Sequence, residues 1–427
     1  MKKNYLLQLL FAALVVVFAV SCDDDSSNGG EDKDTDTTGV EVKSGIISAN
    51  ETWTANNIYE LAGRVIVKEN VTLTIEAGTI VKGREGQASL ASALIVAQGA
   101  KIMAEGTAEK PIIFTSVLDN IKVGETLGTN LKKEDNELWG GVIVLGKAPI
   151  SAKAGDDESV IEGLPADEAY AVYGGEAADD NSGVLKYVSI RHGGITIGEG
   201  NEINGLTLGG VGTGTTIENI EIYANLDDGV EFFGGTVNAK NILVTWQGDD
   251  GIDIDQNYSG TVENFIVYHG AGVGTDEGLE IDGPENTLDD GKFTLKNGTL
   301  KNDGIEGSGA DLKSDAQGTI DNVVMTGYAS GKDKFKVEGE YDKDCNVTDD
   351  TDARGNLISG ELVIKDSKAA EASLYSKQDD NKNPLCGSLP TEDVDDVADA
   401  FTSKSDATGA DASVFGWTAT VQSGMTL

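Results

Sequence analysis

The chain has 427 residues, with 73 acidic against 32 basic side chains and a formal net charge of −41. A field of that sign repels polyanions, which excludes nucleic acid and anionic lipid surfaces as partners. It favours cations, basic partners or a neutral ligand.

The first element is a leader. Lys2 and Lys3 precede an apolar run from Tyr5 to Val20. A charged start and a run of about 16 apolar residues form an export signal over 1–21 rather than a membrane span. Ala19-Val20-Ser21-Cys22 resembles the lipobox of bacterial lipoproteins, with Ala19 where leucine is usual. The resemblance implies lipid attachment at Cys22. Asp23, Asp24 and Asp25 open a polar stretch whose composition cannot bury a core, so 22–40 is expected to be a flexible tether. An acidic run after the lipidated cysteine resembles the surface-export signal of Bacteroidetes lipoproteins. It implies a protein held in the outer membrane by its lipid and exposed at the cell surface. Without Lys2 and Lys3, 30 of the 32 basic residues remain against 73 acidic ones, a charge of −43.

From Ile58 to Thr115 short β-branched runs alternate with glycine-bearing turns, as in Arg64–Val67, Leu73–Ile75, Leu94–Val96 and Ile112–Phe114. Runs this short suit strands, not helices. Residues 116–138 and 151–182 are polar excursions, separated by strand character at Trp139–Leu145.

A repeat follows. The strand Tyr187–His192 can be laid over Asn219–Ala224, Asn241–Trp246 and Asn264–His269, with a partial copy at Asn322–Gly327. With a side-chain period of two, Val188/Ile190, Ile220/Ile222, Ile242/Val244 and Phe265/Val267 share the core face, and His192 and His269 fall inward at strand ends. Stacked asparagines Asn219, Asn241, Asn264 and Asn322 are expected to form a structural ladder. Each unit has a second strand opened by an acidic-Gly-apolar-acidic phrase: Asp228–Glu231, Asp250–Asp253, Glu277–Glu280 and Asp303–Glu306, at steps of 22, 27 and 26 residues. The apolar member is core, and the final carboxylate faces out.

That period, with very short strands and 55 glycines, predicts an all-β, right-handed, single-stranded parallel β-helix over 41–342. A leucine-rich repeat would show a leucine/asparagine frame, and a propeller blade needs about 40 residues or more. Residues 343–427 are expected to supply terminal coils, an acidic loop and a C-terminal cap. In that region Ala370–Lys377 reads as a short helix, with Phe401, Phe415 and Trp417 as apolar anchors. Cys345 and Cys386 either pair across a loop of about 40 residues or remain two free thiols.

Trp139–Ile150, Ile161-Glu162-Gly163, Tyr173-Gly174-Gly175 and Asp180–Gly194 together resemble a group of secreted or lipid-anchored Bacteroidetes proteins. The resemblance runs from about residue 40 to the C-terminus and implies the pectin-lyase-like β-helix class. It implies no fixed activity, since that class holds polysaccharide lyases, hydrolases and adhesins.

The outward carboxylates Glu231, Asp253, Glu280 and Glu306, with Asp255 and Asp282 beside them, are the candidate metal ligands. Stacked about 4.8 Å apart they repel one another and gain from a cation. Calcium, which takes six to eight oxygens, suits them. Arg191 is the weak catalytic candidate. It shares an outward position with Tyr223, Thr245 and Tyr268, so Arg191, Tyr223 and Tyr268 are the candidate sugar-binding strip. The leading expectation is a non-enzymatic surface lipoprotein that displays a rigid acidic face to polysaccharide or a basic surface protein. The alternative is a calcium-assisted polysaccharide lyase or glycoside hydrolase.

Overall fold

The computed structural model describes residues 39–197, 202–379 and 381–427. The leader, Cys22 and nearly all of the tether lie outside them. The described chain is a solenoid of short strands stacked in parallel, rung upon rung, with a small helical cap near the C-terminus.

Three columns of strands wall it. In the repeat region one strand of the rung bends into the next at the corner asparagines. Asn219, Asn241, Asn264, Asn297 and Asn322 all have φ between 55° and 60°. Asparagine tolerates this left-handed conformation better than other non-glycine residues. Its side chain then bonds the next rung: Asn241 Nδ2 donates to Asn219 Oδ1 (3.0 Å), Asn264 to Asn241 (2.7 Å) and Asn322 to Asn297 (2.8 Å). The ladder is structural, and Asn297 belongs to it.

The core between the walls is continuous from Trp53 to Phe401 and holds the expected inward residues, including Val188, Ile220, Val244, Phe265, Val230, Ile252 and Leu279. On the outer face, the residue before each corner, which is an asparagine except at Tyr187 and Asp366, alternates in sign in register: Lys186, Glu218, Lys240, Glu263, Lys296, Asp321 and Lys365. Unlike charges directly opposite favour this register over a slipped one.

The two ends are closed differently. At the first rung Lys43 pairs with Glu41 and Glu51 above the stacked rings of Trp53 and Tyr59. At the other end Phe401 packs on Phe335 with ring centroids 5.3 Å apart, beside the helix Thr391–Asp399. The expected helix at Ala370–Lys377 is instead the strand Glu371–Ser376, paired in register with Lys334–Gly339. Extending an open sheet satisfies a backbone edge that an isolated helical turn leaves bare. Phe415 and Trp417 do not cap the last coil. Phe415 packs on Leu243 and Ile266, and Trp417 meets Tyr187, so the C-terminal segment lies along the outside of the solenoid. Cys345 and Cys386 form a disulfide.

Candidate metal centre

The repeated phrase works through its glycine. A Cβ on Gly229 would stand 2.3 Å from Val244 Cγ1 and 2.5 Å from the Gly251 carbonyl, and one on Gly251 would meet Val267 and Gly278 as closely. Only glycine lets each turn approach the next rung. The strand that follows buries its apolar residues and turns its carboxylate outward.

Register then aligns Glu231 with Asp253, Asp253 with Glu280, and Glu280 with Asp311. Glu306 is therefore not in the column. The fourth unit is Ser308-Gly309-Ala310-Asp311, which keeps the glycine and the carboxylate but opens on serine. The phrase Asp303–Glu306 lies in the bend before it, with Gly304 at φ 76° and Glu306 exposed.

The column is not uniform. At its C-terminal half two lysines supply counter-charge. Lys313 pairs with Glu280 and Asp282, and Lys336 lies 2.6 Å from both Glu277 and Asp311. Ser314 Oγ also donates to Asp282 (2.6 Å). At the N-terminal half, Asp228, Glu231, Asp250 and Asp253 are all buried, and none forms an ion pair with a described residue. Asn204 donates an amide hydrogen to Glu231, and the backbone N–H of Asp250 donates to Asp228 Oδ1 (2.9 Å).

Carboxylate oxygens of Asp228, Glu231 and Asp253 lie within 4.8 Å of one another, and so do those of Asp227, Asp228 and Asp249. Asp253 is 8 % exposed, yet its Oδ1 has no hydrogen-bond partner. An orphaned oxygen beside two buried carboxylates is costly unless a cation or protons neutralise it. Burial, and then the neighbouring carboxylates, push Asp228, Glu231, Asp253 and Asp255 well above the usual carboxylate range. These clusters are positioned to chelate a cation. The donors are all oxygen, which suits calcium rather than a metal that prefers nitrogen or sulfur. Asp228, Glu231 and Asp253 would hold it, with Asp255 next along the strand. Glu280 and Asp282 are committed to Lys313.

Arg191 does not line an open strip. It is 2 % exposed; its Nε donates to Ser189 Oγ (2.7 Å) and its Nη1 to the Thr126 carbonyl (2.9 Å). Its Nη2 stands 3.9 Å from Glu221. Glu221 is fully buried and accepts from Ser189 Oγ, the backbone N–H groups of Ala419 and Thr420, and Thr420 Oγ. The excursion after Ser116 and the C-terminal segment thus seal this face. Tyr223 packs edge-on between His192 and Trp246, and Trp246 meets Tyr268, so the rings spend their faces on each other. Tyr268 donates to Asp303. A sealed guanidinium cannot take a substrate proton, and Tyr268, 6 % exposed, cannot stack on a sugar.

Four residues of the centre's electrostatics escape a motif reading: Asn204, Asp311, Lys313 and Lys336. The looser frame Gly-apolar-polar-apolar, which Gly205–Leu208 and Gly309–Leu312 share with the acidic phrase, points to Asn204, Asp311 and Lys313, but Lys336 sits in Lys334–Val337, which lacks the glycine.

Residues 45–422 match the family described as a pectate-lyase-like beta helix domain. No curated protein and no solved structure matches the chain. With outward carboxylates on a parallel solenoid and nearly the whole described chain matched, the protein belongs to the pectate-lyase-like β-helix domain family.

Proposed function

We propose that the chain acts on extracellular glycans as a calcium-assisted polysaccharide lyase or glycoside hydrolase. The observation that carries this is the buried Asp228–Glu231–Asp253 triad, without counter-charge, on the outer face of a solenoid of this family. A bound calcium ion would supply positive charge beside which an oxygen of the glycan could sit. Asp255, whose pKa burial and then Asp282 push well above the usual carboxylate range, is suited to donate a proton to a leaving oxygen. Lys313 is about a quarter exposed; burial lowers its pKa, but Asp282 and Glu280 outweigh that and keep it charged.

A non-catalytic surface binder, for polysaccharide or a basic surface protein, is the second reading. It is favoured by one observation: Lys313 and Lys336 are each tied to two carboxylates, and Arg191 is sealed, so none of these three is free to act as a base. Turnover of a defined polysaccharide panel, in calcium and in chelator, separates the two. Calcium-dependent product that vanishes in Asp253→Asn supports the enzyme, and binding without product supports the binder. Export, lipidation at Cys22 and outer-membrane surface exposure complete the proposal. Loss of labelled fatty acid in Cys22→Ala, together with protease accessibility on whole cells, tests them.

A further inference from the structure

Three depressions adjoin one another along the flank of the solenoid. The first, about 670 Å³, is lined by Ile46, Ile66 and Tyr170. Gln98 lines both this one and the second, about 410 Å³, beside Lys147 and Glu176. Glu176 and Gly175 also line the third, about 480 Å³, which reaches Asn257, Ser259 and Asp290. Together they follow the turns at the C-terminal ends of one wall of strands. From the rung of Ile46 to that of Asp253 is six register steps. At about 4.8 Å per step the groove runs about 29 Å, the length of a chain and not of a single small molecule. Asp228 precedes Val230–Phe233, and Glu231 and Asp253 lie within the strands, so the triad is set back from the turns, such as that of Asn257 after Ile252–Asp255, that line the groove.

The lining specifies the occupant. Lys68 and Lys147 are outnumbered by Glu158, Glu168, Glu176 and Asp290, and Lys147 is already paired with Glu69 at 3.2 Å. An acidic rim on a strongly acidic protein repels a polyanion. Carboxylates and the Gln98 amide oxygen accept hydrogen bonds from hydroxyl groups, and Gln98 Nε2 is already used on the Gly146 and Gly174 carbonyls. Ile46, 60 % exposed, and Tyr170 offer an apolar face to ring C–H groups. We infer that this flank groove binds an uncharged, hydroxyl-rich linear polymer, a neutral polysaccharide, at a site separate from the carboxylate triad. The inference rests on the glycan reading above and narrows it.

The test is native electrophoresis of the detergent-solubilised full chain through gels containing a soluble galactomannan, a soluble β-glucan or polygalacturonate. A neutral polymer is expected to retard the protein, and polygalacturonate is not. Tyr170→Ala and Ile46→Asp are each expected to weaken the retardation by about tenfold, in keeping with the loss of one apolar contact of this size. Neither should alter the melting shift on adding calcium. Ile46 is exposed, so its variant folds even if Tyr170→Ala does not. Retardation or cleavage with polygalacturonate alone overturns the groove but leaves the glycan reading standing. Unchanged retardation in the Ile46 variant also overturns the groove. No retardation by, and no turnover of, any polysaccharide overturns both.

Discussion

Replacing Asp253 with asparagine removes one of three carboxylates whose oxygens lie within 4.8 Å of one another. At that separation and an effective dielectric of about 20, each ionised pair repels by about 3.5 kcal/mol. Asp253 takes part in two such pairs, so the relief is on the scale of about 7 kcal/mol. Burial and the neighbouring carboxylates raise the pKa values of all three, so proton uptake offsets part of that repulsion, and a net gain of about 1–3 kcal/mol is expected in chelator. In calcium the sign reverses. The variant has lost a charged ligand, and its affinity is expected to fall by about 100-fold, or about 2.7 kcal/mol. Thermal unfolding of both proteins, in chelator and in calcium, gives the readout, with titration calorimetry for affinity. The variant should melt above the parent in chelator and below it in calcium. A shift of the same sign in both buffers refutes the reasoning.

Other outcomes follow from the same charges. In chelator, Asp227, pushed to about 7 first by burial, Asp276, pushed to about 7 first by its bond to Glu277, and Asp315, pushed to about 6 first by burial, bind protons in the folded chain before the unfolded one. Stability therefore rises as pH falls from about 7 toward the ordinary aspartate value near 4. Glu277 runs the other way: burial raises it, but bonds from Asp276, Lys336 and Ser308 outweigh that and bring it to about 2. Its contribution is lost as pH falls from about 4.5 toward 2, so the optimum should lie near pH 4–5, and a melting optimum at pH 8 would contradict this. Lys313→Met strands Glu280 and Asp282 and is expected to cost about 2–4 kcal/mol in chelator, with part recovered in calcium. Equal losses in both buffers would show that no cation replaces the ammonium. Glu221→Leu leaves the Ala419 and Thr420 donors without their acceptor and Arg191 without its counter-charge, an expected cost of about 3–5 kcal/mol. Limited proteolysis should then cut first within 408–427, and unchanged protection there would reject the role assigned to Glu221.

Much of the architecture is legible in the sequence because its causes are local. The alternation of Val188 and Ile190, or Val230 and Phe232, reports which face is core, since side chains along a strand alternate regardless of what surrounds it. The corner asparagines are readable for a similar reason, because left-handed φ is a property of a single residue. Repetition turns these local signals into a solenoid. The carboxylate column also follows, but only as far as register can be guessed. Glu306 falls outside the column because backbone pairing aligns Glu280 with Asp311, whatever the charge of the residue that opens the phrase.

The tertiary structure alone decided what covers each outward face and which charges meet across it. Arg191 faces away from the core, as its position in the strand requires, yet Thr126 and Ala419 lie over it from 65 residues before and 228 after. Nothing in the strand's own pattern distinguishes a covered outward residue from a solvated one. The neutralising lysines illustrate the same limit. Lys313 sits one rung beyond Glu280 and Asp282, Lys336 sits one rung beyond Asp311 and two beyond Glu277, and only the stacking order sets those distances. The sequence determined that there would be an acidic column. The fold decided that half of it carries its own cations and half does not, because that depends on which side chains the rungs bring within a few ångströms.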